Sequence, residues 1–327
     1  MVSSTSHSAP PGNPRRGRRR RGPLAAVVAS VVIVALFVGG GYYAWRSLFP
    51  PAQRSDSCQV VGESTGNVYT MSPEQLYNAS IITGVAMRRS LPERADVIAL
   101  ATAQQESKLR NLGGGDADSV GLFQQRPSQG WGTVAELTNP PISAGKFFDA
   151  LVKVKDWQSL PLADAAQAVQ RSAYPDAYRD WEPRATALAG ALTGETAGRL
   201  SCRLVHPGVR TAATRVMAPG ASTAFTAAPT VAGAAALVTA QLADDLGLVA
   251  QPLAGSPQVA TLVVAGLDGA DPKRRPNTAA AWALAHAAFD GVTSVTVGDQ
   301  DWQAGRGTWE RTDHPAGSGT ITITIRR

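Results

Sequence analysis

The sequence predicts a mainly α domain followed by a small α+β domain at the C-terminus, with a transmembrane helix at the N-terminus. Three observations predict this. An uncharged apolar run occupies 24–45, the segment between Cys58 and Cys202 carries helical spacing, and Thr320-Ile321-Thr322-Ile323-Thr324-Ile325 alternates strictly. A helix repeats every 3.6 residues and a strand every two, so the two patterns separate an α region from a sheet-containing one. The chain of 327 residues is long enough for both.

The run Leu24–Trp45 has 22 residues and no charge. At about 1.5 Å per residue a helix of that length crosses roughly 30 Å of hydrocarbon. Six arginines between Arg15 and Arg21 precede it, and Tyr42, Tyr43 and Trp45 close it. That order predicts a basic, disordered cytoplasmic tail over 1–22, a single span, and export of the remainder across a bacterial cytoplasmic membrane. The alternative is a cleaved signal peptide. The run is longer than a usual signal core, and Gly39-Gly40-Gly41-Tyr42-Tyr43 offers no A-x-A-like cleavage site, which favours the uncleaved anchor.

Charge excludes one class of function. The net charge is +6, but seven of the 31 basic residues lie at or before Arg46, leaving 24 against 25 acidic ones. Nucleic-acid recognition needs a basic face, and the exported part has no such excess. No zinc-ligand spacing, phosphate-binding loop or dinucleotide fingerprint occurs, so neither a metal nor another cofactor is expected.

After a short Pro-containing tether, the segment 58–202 reads as helical. Ser72-Pro73-Glu74-Gln75 has capping-box spacing with proline at the first helical position. A second helix starts near Pro92 and runs through Val97, Ile98, Ala101 and Thr102 towards Glu106. Residues 111–132 are rich in Gly, Asp and Ser and belong to loops. Helical spacing returns at Ala144–Leu151, Leu162–Val169 and Trp181–Leu192. The two cysteines, Cys58 and Cys202, bracket this segment on the exported side, where disulfides persist. A bridge between them is the favoured reading, and two unrelated buried thiols the alternative.

Residues 205–228 read as a Pro/Ala/Thr linker and 229–327 as the small α+β domain. Helices are expected over 232–246 and 277–289, and strands over 259–265, 292–297 and 320–325. Trp282 and His286, four residues apart on one helix, suit packing, as do Trp302 and Trp309, although an indole can also stack on a sugar.

The chemistry concentrates in the middle. Gln104-Gln105-Glu106-Ser107 ends the second predicted helix, and Gly121-Leu122-Phe123-Gln124 follows after a Gly/Asp loop. A glycosidase needs a carboxylic acid that keeps its proton until it gives it to the leaving oxygen, and apolar neighbours achieve that. The bland alternative for Glu106 is a solvated helix-end carboxylate.

These residues resemble the lysozyme-like superfamily, specifically bacterial lytic transglycosylases and goose-type lysozymes. That family has a Glu-Ser pair ending a helix, then Gly-Leu-Met-Gln at this spacing, then Ala-Tyr-Asn. Here stand Glu106-Ser107, Gly121-Leu122-Phe123-Gln124 with Phe for Met, and Ala173-Tyr174 followed by Pro175 instead of Asn. The resemblance implies a lysozyme-like fold for this domain and cleavage of the MurNAc–GlcNAc bonds of peptidoglycan. It implies Glu106 as general acid and then base, with Ser107, Gln124 and Tyr174 contacting substrate or orienting the site. Asp116 and Asp118 are the candidates for the second carboxylate that hydrolysis uses, with turn formation as their bland alternative. If neither serves, the family's lytic route to a 1,6-anhydro product fits. Pro175 removes one expected amide contact and leaves a rival reading open: a peptidoglycan-binding or scaffold protein without turnover. An envelope protein partner for 229–327 is a further expectation.

Overall fold

The computed structural model describes residues 55–327 except 173, 197, 206, 208–229, 254, 268–273 and 327. The predicted tail over 1–22 and the predicted span over 24–45 lie outside the described residues, as does most of the predicted linker. Among the described residues no helix is long and apolar enough to cross a membrane.

The first elements are strands β1 (Ser57–Val61) and β2 (Val68–Met71), then helices α1 (Pro73–Arg88) and α2 (Glu93–Ser107). Helix α1 starts as its sequence predicts. Ser72 Oγ accepts from the Gln75 backbone N–H, the Gln75 side chain accepts from the Ser72 N–H, and Pro73 sits in the first turn. A loop-rich stretch holds a 3₁₀ turn at Pro127–Gln129 and a one-turn α3 (Val134–Leu137). Then come α4 (Pro140–Leu151), α5 (Leu162–Gln170), a second 3₁₀ turn at Pro175–Trp181, α6 (Glu182–Leu192) and β3 (Leu200–Arg203). On α4 the residues spaced for one face, Ala144, Phe147, Phe148 and Leu151, are all buried.

The remaining described residues form α7 (Val231–Leu246), β4 (Ala250–Pro252), β5 (Val259–Val264), α8 (Arg274–Asp290), β6 (Val292–Val297), β7 (Gln300–Gln303), β8 (Trp309–Arg311) and β9 (Ile321–Arg326). The alternation in β9 puts Ile321, Ile323 and Ile325 in the core, with the intervening threonines half-buried.

The fold differs from the expected mainly α lysozyme-like domain joined by a linker to a small α+β domain. The described residues contain two antiparallel sheets, a three-stranded one ordered β2-β1-β3 and a six-stranded one ordered β4-β5-β9-β6-β7-β8, alongside eight α-helices. Residues 55–327 form one compact unit. Strands β1 to β3 pass unnoticed in sequence because they have only four or five residues each, and β1 pairs with β3 from the far end of the segment. Cys58 and Cys202 stand directly opposite each other in that pairing and form a disulfide, as expected.

The physical reason for one unit is that the last third of the chain completes hydrogen bonds of the first part. Trp302 Nε1 donates to the Cys202 carbonyl (3.0 Å), Trp309 Nε1 to Leu200 (2.8 Å), and the Leu204 N–H to Ala304 (2.8 Å). Arg88, in the last turn of α1, donates to the Asp244 (2.8 Å) and Asp245 (3.1 Å) carbonyls that α7 leaves open at its C-terminus. Helices α1, α7 and α8 enclose a polar knot. Trp282 Nε1 donates to Asp245 Oδ2 (2.9 Å), and His286 stacks on Trp282 with Nδ1 3.1 Å from Asp290 Oδ2. Both rings are packed, as their helical spacing suggests.

One buried acid sets a pH dependence of stability. Asp96 on α2 is buried, its Oδ2 accepting from Thr83 Oγ1 (2.9 Å) and its Oδ1 without a hydrogen-bond partner among the described residues. Burial raises its pKa to about 7. The folded carboxyl therefore keeps its proton up to about pH 7, whereas the unfolded one releases it near pH 4. Between those values the native state binds more protons, so stability falls as pH rises and levels off above about pH 7. Asp96→Asn keeps the acceptor for Thr83 and removes this slope. Urea midpoints at pH 5 and pH 8 should differ less in the variant, with the gain at pH 8.

Candidate functional site

Glu106 lies in the last turn of α2, half-buried. The helix then stops abruptly because Lys108 (φ 57°) and Leu109 (φ 58°) both adopt left-handed backbone. That conformation is unfavourable for residues with a Cβ and persists only where neighbours hold it. The neighbours come from α1. Gln75 Nε2 donates to the Lys108 carbonyl (2.7 Å), and Asn78 Nδ2, fully buried, donates to the Leu109 carbonyl (2.8 Å). Ala117 (φ 54°) and Gln124 (φ 47°) are also left-handed, so four of the seven such non-glycine residues among those described fall between 108 and 124.

Ser107 ties the helix end to the second motif. Its Oγ donates to the Leu122 carbonyl (2.7 Å) and accepts from the Arg110 N–H (3.2 Å). Residues Val120 and Gln125 pair with each other through both backbone groups, so Gly121–Gln124 forms a closed turn. Gly121 is required there: its φ is +79°, and a Cβ would strike the Leu137 carbonyl. Phe123 is fully buried and stacks on Phe147 at 4.6 Å, while its carbonyl accepts from Gln170 Nε2 (2.7 Å). The Gln124 side chain is half-buried and braces its own turn, Nε2 donating to Gly121 (3.0 Å) and Oε1 accepting from Ser119 Oγ (3.0 Å).

The tyrosine on Glu106 is not the one expected. Tyr178 Oη donates to Glu106 Oε1 at 2.6 Å, whereas Tyr174 is 75% exposed. The sequence holds two Ala-Tyr pairs four residues apart, Ala173-Tyr174 and Ala177-Tyr178, and the 3₁₀ turn at Pro175–Trp181 carries the second inward. Burial of Tyr178, with Glu106 beside it, pushes the phenol pKa up, so the hydroxyl stays protonated and remains a donor. Glu106 Oε2 has no hydrogen-bond partner among the described residues.

Trp181, at the end of the same turn, donates through Nε1 to Gln105 Oε1 (2.7 Å). Lys108 Nζ sits 4.4 Å from the centre of that indole ring. Partial burial and the nearby Arg184 lower the Lys108 pKa, and Glu106 acts in the opposite sense. Tyr178, Trp181 and Lys108 are thus site residues that sequence reasoning passed over. The repeated Ala-Tyr pair was the available signal for the first of them.

The candidates for a second carboxylate occupy turns. Asp118 accepts from Arg126 Nε (2.7 Å), the Ser128 N–H (2.8 Å) and Ser128 Oγ (2.9 Å), and these bonds hold its pKa well below the usual carboxylate range. Asp116 is exposed, and its carbonyl caps a turn by accepting from Ser119. The structure therefore joins Glu106, Ser107 and the Gly121–Gln124 turn, adds Tyr178 and Trp181, and leaves Tyr174 outside. In comparisons with known proteins, no family model matches the chain, and no curated protein matches it.

Proposed function

We propose that the protein cleaves the MurNAc–GlcNAc bond of peptidoglycan, with Glu106 as general acid and then general base. One observation carries the reading most: a half-buried glutamate at a braced helix end has Oε1 fixed by Tyr178 at 2.6 Å, while Oε2 is unengaged among the described residues. A positioned acid needs that combination of a fixed carboxyl and a free oxygen within reach of the glycosidic bond. The resemblance of Glu106-Ser107 and Gly121–Gln124 to the lytic transglycosylase motifs supplies the substrate class.

The lytic route needs a single carboxyl group. Glu106 gives its proton to the bridging oxygen as the C1–O bond breaks, and the acetamido oxygen of the same sugar bonds to C1. The C6 hydroxyl then attacks C1, displaces the acetamido oxygen and returns its proton to Glu106, so no water is consumed. The commitment of Asp118 to Arg126 and Ser128 supports this route over two-carboxylate hydrolysis. Mass spectrometry of the fragments tests the choice: 1,6-anhydro ends are expected, and reducing ends alone would replace the lytic route with hydrolysis. Pro175 is weaker support for a scaffold without turnover than the sequence suggests. It follows the exposed Tyr174, while Arg179 follows the tyrosine that touches Glu106.

Tyr178→Phe should slow cleavage roughly tenfold or more, the scale of one hydrogen bond to a charged group, whereas Tyr174→Phe should leave the rate unchanged. Initial rates on purified glycan strands measure both. The Cys58–Cys202 bridge supports a place outside the cytoplasm. In the sequence the arginine cluster and the uncharged stretch 24–45 support attachment to the cytoplasmic membrane.

A further inference from the structure

A cavity of about 380 Å³ opens where the turn after α6, the first turns of α8, the β6–β7 hairpin, β8 and the turn before β9 meet. That volume lies in the range of small-molecule sites. Trp309 forms one side. It is half-buried, and its Nε1 bond to the Leu200 carbonyl (2.8 Å) fixes the plane of the ring. The floor is made of alanine and proline from α6 and α8, which leaves the space open.

Three planar polar side chains, Asn277, Asp299 and Gln300, line it together with the hydroxyl-bearing Thr196, Ser318 and Thr320. Asn277 Nδ2 makes one long bond to the Gly194 carbonyl (3.5 Å). Gln300 Nε2 donates to Asp299 Oδ1 (3.1 Å), and Arg311 Nε lies 3.4 Å from Asp299 Oδ2. Among the described residues, both amide oxygens and one N–H on each amide have no other partner and remain for a ligand. Among the described lining residues there is no lysine, arginine or histidine and there is one carboxylate, Asp299, to which the neighbouring Arg311 is already paired, so the lining disfavours an anionic ligand. A purely apolar ligand would cover both amide oxygens and the second N–H of each amide without giving them partners. What remains is a neutral ring with one apolar face and a rim of groups that both donate and accept.

We propose that this cavity is a secondary glycan site that takes one neutral N-acetylhexosamine ring, its apolar face on Trp309 and its hydroxyl and acetamido groups on Asn277, Gln300 and Asp299. The inference rests on the chemistry of the cavity and stands apart from whether Glu106 cleaves the glycan. A site of this kind would hold the polymer on the last third of the chain independently of Glu106.

The test uses the full chain with ¹⁵N-labelled indoles and tri-N-acetylchitotriose as the probe, in the Glu106→Gln background so that the sugar persists. Loss of one signal in Trp309→Phe assigns the Trp309 indole. That signal should shift saturably with a Kd on the order of 1 mM. Asn277→Ala and Gln300→Ala should each weaken the response about fivefold, the loss of one hydrogen bond. The Trp302 indole, buried against the Cys202 carbonyl, reports that each variant is folded. The Trp181 indole reports the Glu106 region separately. A shift at Trp181 without one at Trp309, no shift at Trp309 up to roughly ten times that concentration, or an equal response in the folded alanine variants would overturn the proposal. So would a stronger response of Trp309 to cyclohexanol than to the trisaccharide.

Discussion

Replacing Glu106 by glutamine is expected to lower the rate of glycan cleavage by at least about 100-fold, the range over which a positioned acid acts. Glutamine has the same shape, and its amide oxygen still accepts from Tyr178 Oη, so the local packing survives. What disappears is the transferable proton. Without it the bridging oxygen must leave as an alkoxide, and the second step loses its base as well. Stability should change by less than about 1 kcal/mol, because the position is only half-buried and keeps its bond. Glu106→Asp is informative beside it. The shorter side chain retains the proton but draws the carboxyl away from Tyr178, so a partial loss is expected. Initial rates on purified strands, with urea unfolding as the control for folding, check both variants.

The largest effect on stability should come from the disulfide. Cys58 and Cys202 are 144 residues apart in sequence and directly opposite across β1 and β3. Joining them shortens the unfolded chain's reach and also pins the three-stranded sheet on which Trp302 and Trp309 dock. Replacing both cysteines by serine should destabilise by about 2–5 kcal/mol, seen as a urea midpoint lower by roughly 1 M. The effect should extend past the small sheet. Cys202 supplies the carbonyl that satisfies the Trp302 indole, so loosening β3 loosens the six-stranded sheet too. Near-ultraviolet circular dichroism should then show both regions melting in one transition at a lower midpoint. Two separate transitions would contradict the shared core.

Much of the helical framework was legible because its signals are local. The capping box at Ser72, the apolar face of Ala144, Phe147, Phe148 and Leu151, and the alternation of Ile321, Ile323 and Ile325 each specify an element within a few residues. Strands β1 and β3 were not legible, since each is short and its partner lies at the other edge of the segment. Nor was the merging of the two regions. An indole N–H that bonds a carbonyl some 100 residues away leaves no periodic trace. In the site, Glu106 and the Gly121–Gln124 turn could be found from spacing, but Tyr178 could not be told from Tyr174. Both follow an alanine, and only the 3₁₀ turn at Pro175–Trp181 decides which ring is turned inward. Lys108 gave no signal either, because its role depends on a left-handed helix end that Gln75 and Asn78 hold from another helix.

The most direct test is the release of soluble fragments from purified peptidoglycan sacculi by the protein and its Glu106→Gln counterpart, followed side by side by mass spectrometry. The account predicts anhydro-ended muropeptides from the wild type and none above background from the variant. Equal release by both, or none by either while the Trp181 and Trp302 indole signals report an intact fold, would contradict it.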